Sequence, residues 1–266
     1  MHLGHAYSAL CAHDAARAAG GQFLLRIDDL DQSRARALWE DQIYADLTWL
    51  GLAWDGPVRR QSEHFADYRA ALDDLAQSGA VYPCRCSRAD IAAAASAPQE
   101  GVPAFGPDGR IYPGTCRGRP YSERQPGDAL RLDLAKAATP PLRTFTETGP
   151  ARAGSHALHL PTLQSEIGDP ILARPGMAAS YHFSVVLDDA QSGVTDVIRG
   201  ADLFEATALH VLLQQLLGLP TPTYHHHRLI RDAQGKRLAK RDDARAIATY
   251  RAAGASHDDI RKMVGL

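Results

Sequence analysis

Two short segments near opposite ends of the chain carry residues suited to phosphate chemistry. His2-Leu3-Gly4-His5 brackets a glycine with two histidines, and Lys236-Arg237-Leu238-Ala239-Lys240-Arg241 is a basic loop that follows Gly235. At the start of a helix, Gly4 lets a phosphate come close to the backbone, and the helix end offers free N–H groups and partial positive charge. His2 and His5 beside that end can donate hydrogen bonds to phosphate oxygens and stabilise the charge that grows in an in-line displacement. Lys240, on a glycine-containing loop, is placed to reach a leaving pyrophosphate. Either motif alone is short enough to arise by chance. The two together, in this order and each in a fitting local context, point to nucleotide activation.

Four cysteines offer a second kind of chemistry: Cys11, Cys84, Cys86 and Cys116. A close Cys84-Arg85-Cys86 reads as metal or redox chemistry before it reads as a disulfide. Cys11 falls inside the first helix and reads as a small buried hydrophobe. Around the other three gather Arg85, Arg88, Arg110, Arg117, Arg119 and Arg124. These suit contacts to RNA phosphates, or else a solvated loop surface. His225-His226-His227 is not a metal site, because consecutive strand residues point to opposite faces; these histidines are expected to line or underlie the nucleotide pocket.

The elements that must position these groups follow from periodicity. Residues 5–18 read as a helix stopped by Gly20-Gly21, and 22–27 as a short buried parallel strand leading into an acidic loop, Asp28 to Arg34. Helices follow through Trp39, Ile43, Leu47 and Leu50, and over 62–77 with Phe65, Tyr68, Leu72 and Leu75 on one face. Strands are expected at 81–82, 129–134, 181–187, 195–198 and 223–230, and helices at 201–216, 243–253 and 256–264. Between about 84 and 125 apolar periodicity weakens, which marks an insertion held by something other than a hydrophobic core. The 266 residues are 45% hydrophobic and 23% charged with net charge −2, ordinary for a globular protein. No apolar run approaches the roughly 20 residues of a membrane span. No signal peptide is visible, so the expected compartment is the cytoplasm. Any RNA contact must come from local patches, since the global charge does not attract one.

In combination, His2–His5, Leu25-Arg26-Ile27-Asp28-Asp29-Leu30-Asp31, Val197-Ile198-Arg199-Gly200-Ala201-Asp202-Leu203 and Arg237–Arg241 resemble the glutamyl branch of the class I aminoacyl-tRNA synthetases. The first and last correspond to the HIGH and KMSKS signatures. The chain stops shortly after the lysine loop, and so resembles the short paralogue family, the glutamyl-Q tRNA(Asp) synthetases. The resemblance implies activation of glutamate by ATP with Mg²⁺, without tRNA, and transfer of glutamate to the queuosine base of tRNA(Asp). It implies that His2, Gly4, His5 and Lys240 bind ATP, and that His2, His5 and Lys240 stabilise the transition state. It implies that Asp28, Tyr181 and Arg199 bind glutamate: a carboxylate holds the ammonium, and an arginine fork takes the side-chain carboxylate with two hydrogen bonds. At position 28 the family usually has glutamate, one methylene longer. Tyr112-Pro113-Gly114-Thr115-Cys116, with Cys84 and Cys86, resembles the family's structural zinc site of three cysteines and a tyrosine.

The expected fold is therefore α/β: a Rossmann-like parallel sheet with flanking helices, forming one catalytic domain over 1–266. It carries a zinc-bearing insertion at about 84–125 and a lysine loop with short helices at about 231–266. The family's first strand and an anticodon-binding domain are expected to be missing, and the chain is expected to act as a monomer away from membranes. Two rival readings remain: a truncated glutamyl-tRNA synthetase charging a tRNA 3′ end, and a non-catalytic, zinc-stabilised RNA-binding protein.

Overall fold

The computed structural model describes residues 1–94, 105–106, 109–137, 139–231 and 246–266. His2 caps α1 (Leu3–Ala18), and Gly20, at a φ of 65°, turns the chain out of it. An extended run then delivers β1 (Arg26–Ile27), the acidic loop and α2 (Ala37–Trp49). β2 (Arg59–Arg60) leads through a 3-10 turn into α3 (Phe65–Gln77), whose Tyr68, Leu72 and Leu75 form one buried face. Next come β3 (Val81–Cys84), α4 (Arg88–Ala94), β4 (Phe105–Gly106), β5 (Gly109–Arg110), β6 (Ala129–Leu132) and the short α5 (Leu134–Ala137). β7 (Thr144–Glu147) and β8 (Gly154–Ala157) pair as a hairpin that the sequence patterns did not signal. α6 (Leu160–Glu166), β9 (Ile171–Ala173), α7 (Tyr181–Gln191), β10 (Asp196–Gly200), α8 (Thr207–Leu216) and β11 (Thr223–His227) follow. Beyond the lysine loop lie α9 (Ile247–Ala252) and α10 (His257–Val264).

The parallel winding expected from the sequence is present in two parts. β10 runs parallel to β11 in register from Asp196↔Thr223 to Gly200↔His227, and β11 runs parallel to β7 through Tyr224↔Glu147. β1 runs parallel to β2, with Arg26↔Arg59 and Ile27↔Arg60. The strand expected at 22–27 is thus paired over its last two residues. Upstream of these, single backbone bonds from Asp55 to Phe23 and from Arg59 to Leu25 hold the extended chain. Among the described residues no helix is long and apolar enough to cross a membrane.

Two expectations are corrected. Residues 181–187 are the start of α7, not a strand. Ser180 caps this helix by accepting from the Phe183 N–H, and His182 through Asp188 are all buried. A helix buried on every side shows no 3.6-residue alternation, so its apolar run reads like a buried strand. The second correction concerns the strand at 81–82, expected to continue the α/β winding. β3 does not continue the parallel winding but pairs antiparallel with β6, which pairs antiparallel with β9. β3, β6 and β9 thus form a sheet of their own, separate from the parallel strands β10, β11 and β7. The long loop after Cys84 returns the chain directly beside the strand it left, a return that local periodicity cannot report.

Two apolar clusters hold the site in place. The larger packs α3, α7 and α8 against the strands, with Tyr68, Leu132, Phe183, Leu212 and Tyr224 at its centre. The smaller joins Ala6, Tyr7 and Leu10 of α1 to Ile247, Ile260 and Val264 of the last two helices. Each fully buried aliphatic side chain there contributes about 1.5–3 kcal/mol. Arg261 adds a two-pronged ion pair to Asp14, both bonds at 2.8 Å. Asp188 is the polar hinge between the halves. Its fully buried carboxylate accepts from Tyr68 Oη (2.8 Å), Arg59 Nε (2.8 Å) and Gln61 Nε2 (2.7 Å), so α7 is tied to β2 and α3.

Candidate active site

The helix end at His2–His5 is closed by its own histidines. His2 Nδ1 accepts from the N–H groups of Gly4 (3.1 Å) and His5 (3.4 Å), while His5 Nδ1 accepts from the His2 N–H (3.3 Å). The arrangement is a capping box built from imidazoles, and the two rings stack with centroids 3.6 Å apart. Gly4 has a local reason besides phosphate approach, because a Cβ there would stand 3.0 Å from His2 Cε1. The N–H groups that suit a phosphate are thus occupied by His2 in this structure.

His2 and His5 border a cavity of about 1050 Å³ that is also lined by Asp28, Asp29, Tyr181 and the N-terminal half of α2. This size suits a small-molecule site. Asp28 lines the cavity, and loss of solvation raises the pKa of its carboxyl, opposed chiefly by the Arg26 charge. Tyr181, at the first turn of α7, has its phenol pushed up by burial, with Arg199 acting against the shift. Four of the expected site residues (His2, His5, Asp28 and Tyr181) therefore share one cavity wall.

Arg199 is not among the residues that line the cavity. It is 9% exposed and its guanidinium is already engaged. Nε donates to His226 Nε2 (3.0 Å), one terminal nitrogen bonds His210 Nδ1 (2.9 Å), and the other donates to Thr207 Oγ1 (2.7 Å) and the Leu203 carbonyl (3.3 Å). Four of its five N–H groups have protein partners, so the two-bond fork expected for a substrate carboxylate is reduced to one remaining N–H. The partner side chains continue the network. His226 Nδ1 meets Glu147 Oε2 at 2.5 Å, and His210 Nε2 meets His182 Nδ1 at 2.7 Å. Glu147 also accepts from the N–H groups of Gly149 (2.6 Å) and His226 (2.9 Å). Burial opposes its charge, but these bonds hold its carboxyl below the usual range.

Lys240 and the rest of Lys236–Arg241 lie outside the described residues. Their C-terminal flank is described and meets the helix end. Ala246 forms an antiparallel bridge with His2, and the Ile247 N–H donates to the Met1 carbonyl at 2.8 Å. The three consecutive histidines diverge, as alternation on a strand requires. His225 meets Thr148 (3.0 Å), His226 meets Arg199 and Glu147, and His227 meets Ser8 of α1 (3.0 Å) and packs edge-on to Tyr7.

The cysteine cluster passes a geometric test for zinc. A tetrahedral Zn²⁺ with bonds of roughly 2.3 Å to sulfur and 2.0 Å to oxygen sets sulfurs roughly 3.8 Å apart and sulfur from oxygen roughly 3.5 Å apart. The Sγ atoms of Cys84, Cys86 and Cys116 lie within 4.8 Å of one another, with Cys86 and Cys116 at 3.5 Å. Tyr112 Oη stands 3.3 Å from the Cys84 sulfur and 3.4 Å from that of Cys86. The three sulfurs are close enough to hold one ion, and Tyr112 Oη stands beside them. Burial would push the Cys116 thiol up, but hydrogen bonding from Tyr112 and the Arg85 N–H bring it down to about 7, toward the thiolate a metal needs.

The arginines of the insertion are mostly committed to folding it. Arg85 and Arg119 pair with Asp128, Arg117 with Asp169 (2.8 Å) and Arg124 with Asp73 (3.1 Å). Arg110 stacks over Phe105. Several of these pairs lie at the surface, with the Arg85 side chain 61% and the Arg124 side chain 50% exposed. Except for Arg119 with Asp128, these carboxylate partners are far away in sequence and invisible to local pattern.

Residues 1–103 and 160–266 match the family described as "tRNA synthetases class I (E and Q), catalytic domain". The chain belongs to this family. It is 60% identical over 269 residues to the glutamyl-Q tRNA(Asp) synthetase of Rhodobacter capsulatus, covering 100% of this chain and 96% of the relative. It is 41% identical to the protein of the same name from Symbiobacterium thermophilum, covering 98% and 80%. In structure it resembles a glutamate tRNA ligase from Elizabethkingia meningosepticum solved with its amino acid, at a TM-score of 0.69, 26% identity and 91% of this chain. The likeness covers 50% of that ligase, so the chain spans about half its length. The stretch that the family match leaves out, 104–159, holds Tyr112, Cys116 and Glu147.

Glu147, Thr207, His210 and His182 were not among the residues singled out from sequence. Glu147 left one signal. In Thr144-Phe145-Thr146-Glu147 the phenylalanine and the carboxylate share a face, and both are buried. A period of two that places an acid beside a core aromatic marks an inward carboxylate in need of a partner. His210 left none, because it lies within the buried face of α8.

Proposed function

We propose that this chain activates glutamate with ATP, without tRNA, and transfers the glutamyl group to the queuosine base of tRNA(Asp). The observation that carries the reading is the end-to-end likeness, 60% identical, to a relative named for that activity. The cavity supports it. Asp28 offers a carboxylate for the substrate ammonium, and Tyr181 and the histidine-capped helix end adjoin it.

In the first step the glutamate α-carboxylate oxygen attacks the α-phosphorus of ATP in line. The bond to the bridging oxygen breaks, and glutamyl-adenylate and pyrophosphate result. His2 and His5 donate hydrogen bonds to the phosphate oxygens as charge grows there, and neither becomes a covalent nucleophile. Lys240 neutralises the departing pyrophosphate. Mg²⁺ accompanies ATP and shields its phosphate charge. In the second step a hydroxyl of the modified base attacks the activated carbonyl and releases AMP. Zn²⁺ on Cys84, Cys86, Tyr112 and Cys116 is structural and holds the insertion at 84–125 within the single catalytic domain. The setting is the cytoplasm.

The test is glutamate-dependent exchange of pyrophosphate into ATP by the zinc-loaded chain without tRNA, followed by transfer of labelled glutamate to tRNA(Asp) with and without queuosine, and to tRNA(Glu). Exchange, with transfer confined to the queuosine-containing tRNA(Asp), is expected. Transfer to tRNA(Glu) instead makes the chain a 3′-end charging enzyme, and silence in exchange removes the activation reading altogether.

A further inference from the structure

Arg199 is a buried cation with an unusual set of partners. All four groups it bonds are neutral oxygen or imidazole acceptors, and none of the described carboxylates forms an ion pair with it. The nearest acid in the network, Glu147, is separated from it by the His226 ring. A guanidinium cannot give up its charge, so burying it without a bonded anion is costly unless an anion arrives.

The hydrogen-bond pattern also sets the proton on each ring. His226 Nε2 faces the Arg199 N–H and must accept, so its proton sits on Nδ1 and points at Glu147 Oε2. His210 Nδ1 likewise faces an Arg199 N–H, so its proton sits on Nε2 and points at His182 Nδ1. The two imidazoles carry opposite tautomers because both are oriented by one cation. Burial and the Arg199 charge push both rings toward the neutral form this requires, at His226 against the opposing pull of the Glu147 hydrogen bond. The Glu147 end is tightly built. A Cβ on Gly149 would stand 2.5 Å from Glu147 Oε1 and run into the His226 backbone, so glycine is demanded there. The other end reaches the cavity. His210 and His182 pack edge-on to the Tyr181 ring, with centroids 6.1 and 5.2 Å away, and Tyr181 lines the cavity wall.

We infer that His210, His226 and Glu147 are positioning residues: they hold Arg199 as a cation of unmatched charge, with one N–H unengaged, to receive the side-chain carboxylate of the amino-acid substrate. This rests on the activity proposed above and extends it to residues that do not touch the substrate. A carboxylate bonded directly to Arg199 would cancel the attraction. An imidazole between Glu147 and the guanidinium fixes the geometry and leaves the field of the cation largely open.

The experiment compares glutamate and ATP KM values in exchange for the wild-type chain, His210→Phe, His226→Phe, His210→Asn and His226→Gln. Asn Oδ1 and Gln Oε1 stand where the accepting ring nitrogens stood. The phenylalanine variants are expected to raise the glutamate KM by tenfold or more with the ATP KM within twofold, and the amide variants to recover most of the loss. Nitrogen-15 spectra of the histidine rings in the wild-type protein test the same arrangement without substitution. Neutral rings with the proton on Nδ1 of His226 and Nε2 of His210 are expected at pH 7. An imidazolium at either position, equal rises in both KM values, or amide variants no better than phenylalanine overturns the inference while leaving the activity standing. Silence from the wild-type chain overturns the activity and this inference together.

Discussion

His2 and Ala246 lie side by side as an antiparallel bridge, and the Ile247 N–H donates to the carbonyl of Met1. The segment leaving the lysine loop is thereby fastened to the residue that caps α1. Ile247, fully buried in the smaller apolar cluster, anchors the join. Ile247→Ala is expected to destabilise the fold by about 2–5 kcal/mol, the range for a buried aliphatic truncation. It should also lower glutamate-dependent exchange at temperatures where the circular dichroism spectrum is unchanged. A urea midpoint equal to that of wild type would show that the C-terminal helices do not brace the helix end.

Asp188 joins the two halves of the parallel winding through Tyr68, Arg59 and Gln61. Asp188→Ala leaves the Arg59 charge and two buried donors without their acceptor. The expected cost is about 3–5 kcal/mol, read from urea unfolding. A loss below about 1 kcal/mol would mean that water replaces the carboxylate there.

Stability should fall on mild acidification. His210, His226 and His227 have pKa values lowered by burial, so between the folded values and the ordinary 6.5 the unfolded chain binds more protons than the folded one. Their stabilising contribution is complete above about pH 6.5 and is lost as pH drops below it, by up to ~1.4 kcal/mol per group for each pH unit. The urea midpoint is expected to fall from pH 7.5 to 5.5, and less steeply in His210→Asn. Glu147, held below its usual range, adds a second loss below about pH 4.5. A flat profile between 7.5 and 5.5 would contradict buried neutral rings.

One zinc per chain is expected by elemental analysis. Loss of an outer hydrogen-bond partner alone weakens metal sites by roughly 10–100-fold, so removing a donor atom with Tyr112→Phe should weaken zinc at least ~10-fold. Cys116→Ser should weaken it further and expose the insertion to protease. Equal affinity in Tyr112→Phe would assign the fourth position to water.

The chemistry-bearing segments were readable because each is local. In His2–His5 the glycine, both histidines and the helix start lie within four residues, and the spacing of Cys84 and Cys86 already points to metal or redox chemistry. Arg199 was also readable, through its motif. What surrounds it was not. Glu147 meets His226 across 79 residues, and Arg199 meets His210 through a helix face with no polar pattern. Tyr181 was found but given the wrong element, since a helix buried on all sides hides its period. The insertion arginines were seen as a group, while their partners Asp73, Asp128 and Asp169 came only with the fold.

By itself, then, the sequence determined which groups are available for phosphate, carboxylate and metal, because residue type and short spacing are properties of the chain. Only the tertiary structure decided which of them share a cavity, which are already bonded, and that two histidines and a threonine engage Arg199. Those outcomes depend on desolvation and on hydrogen-bond partners brought in from distant strands and helices, and burial sets both.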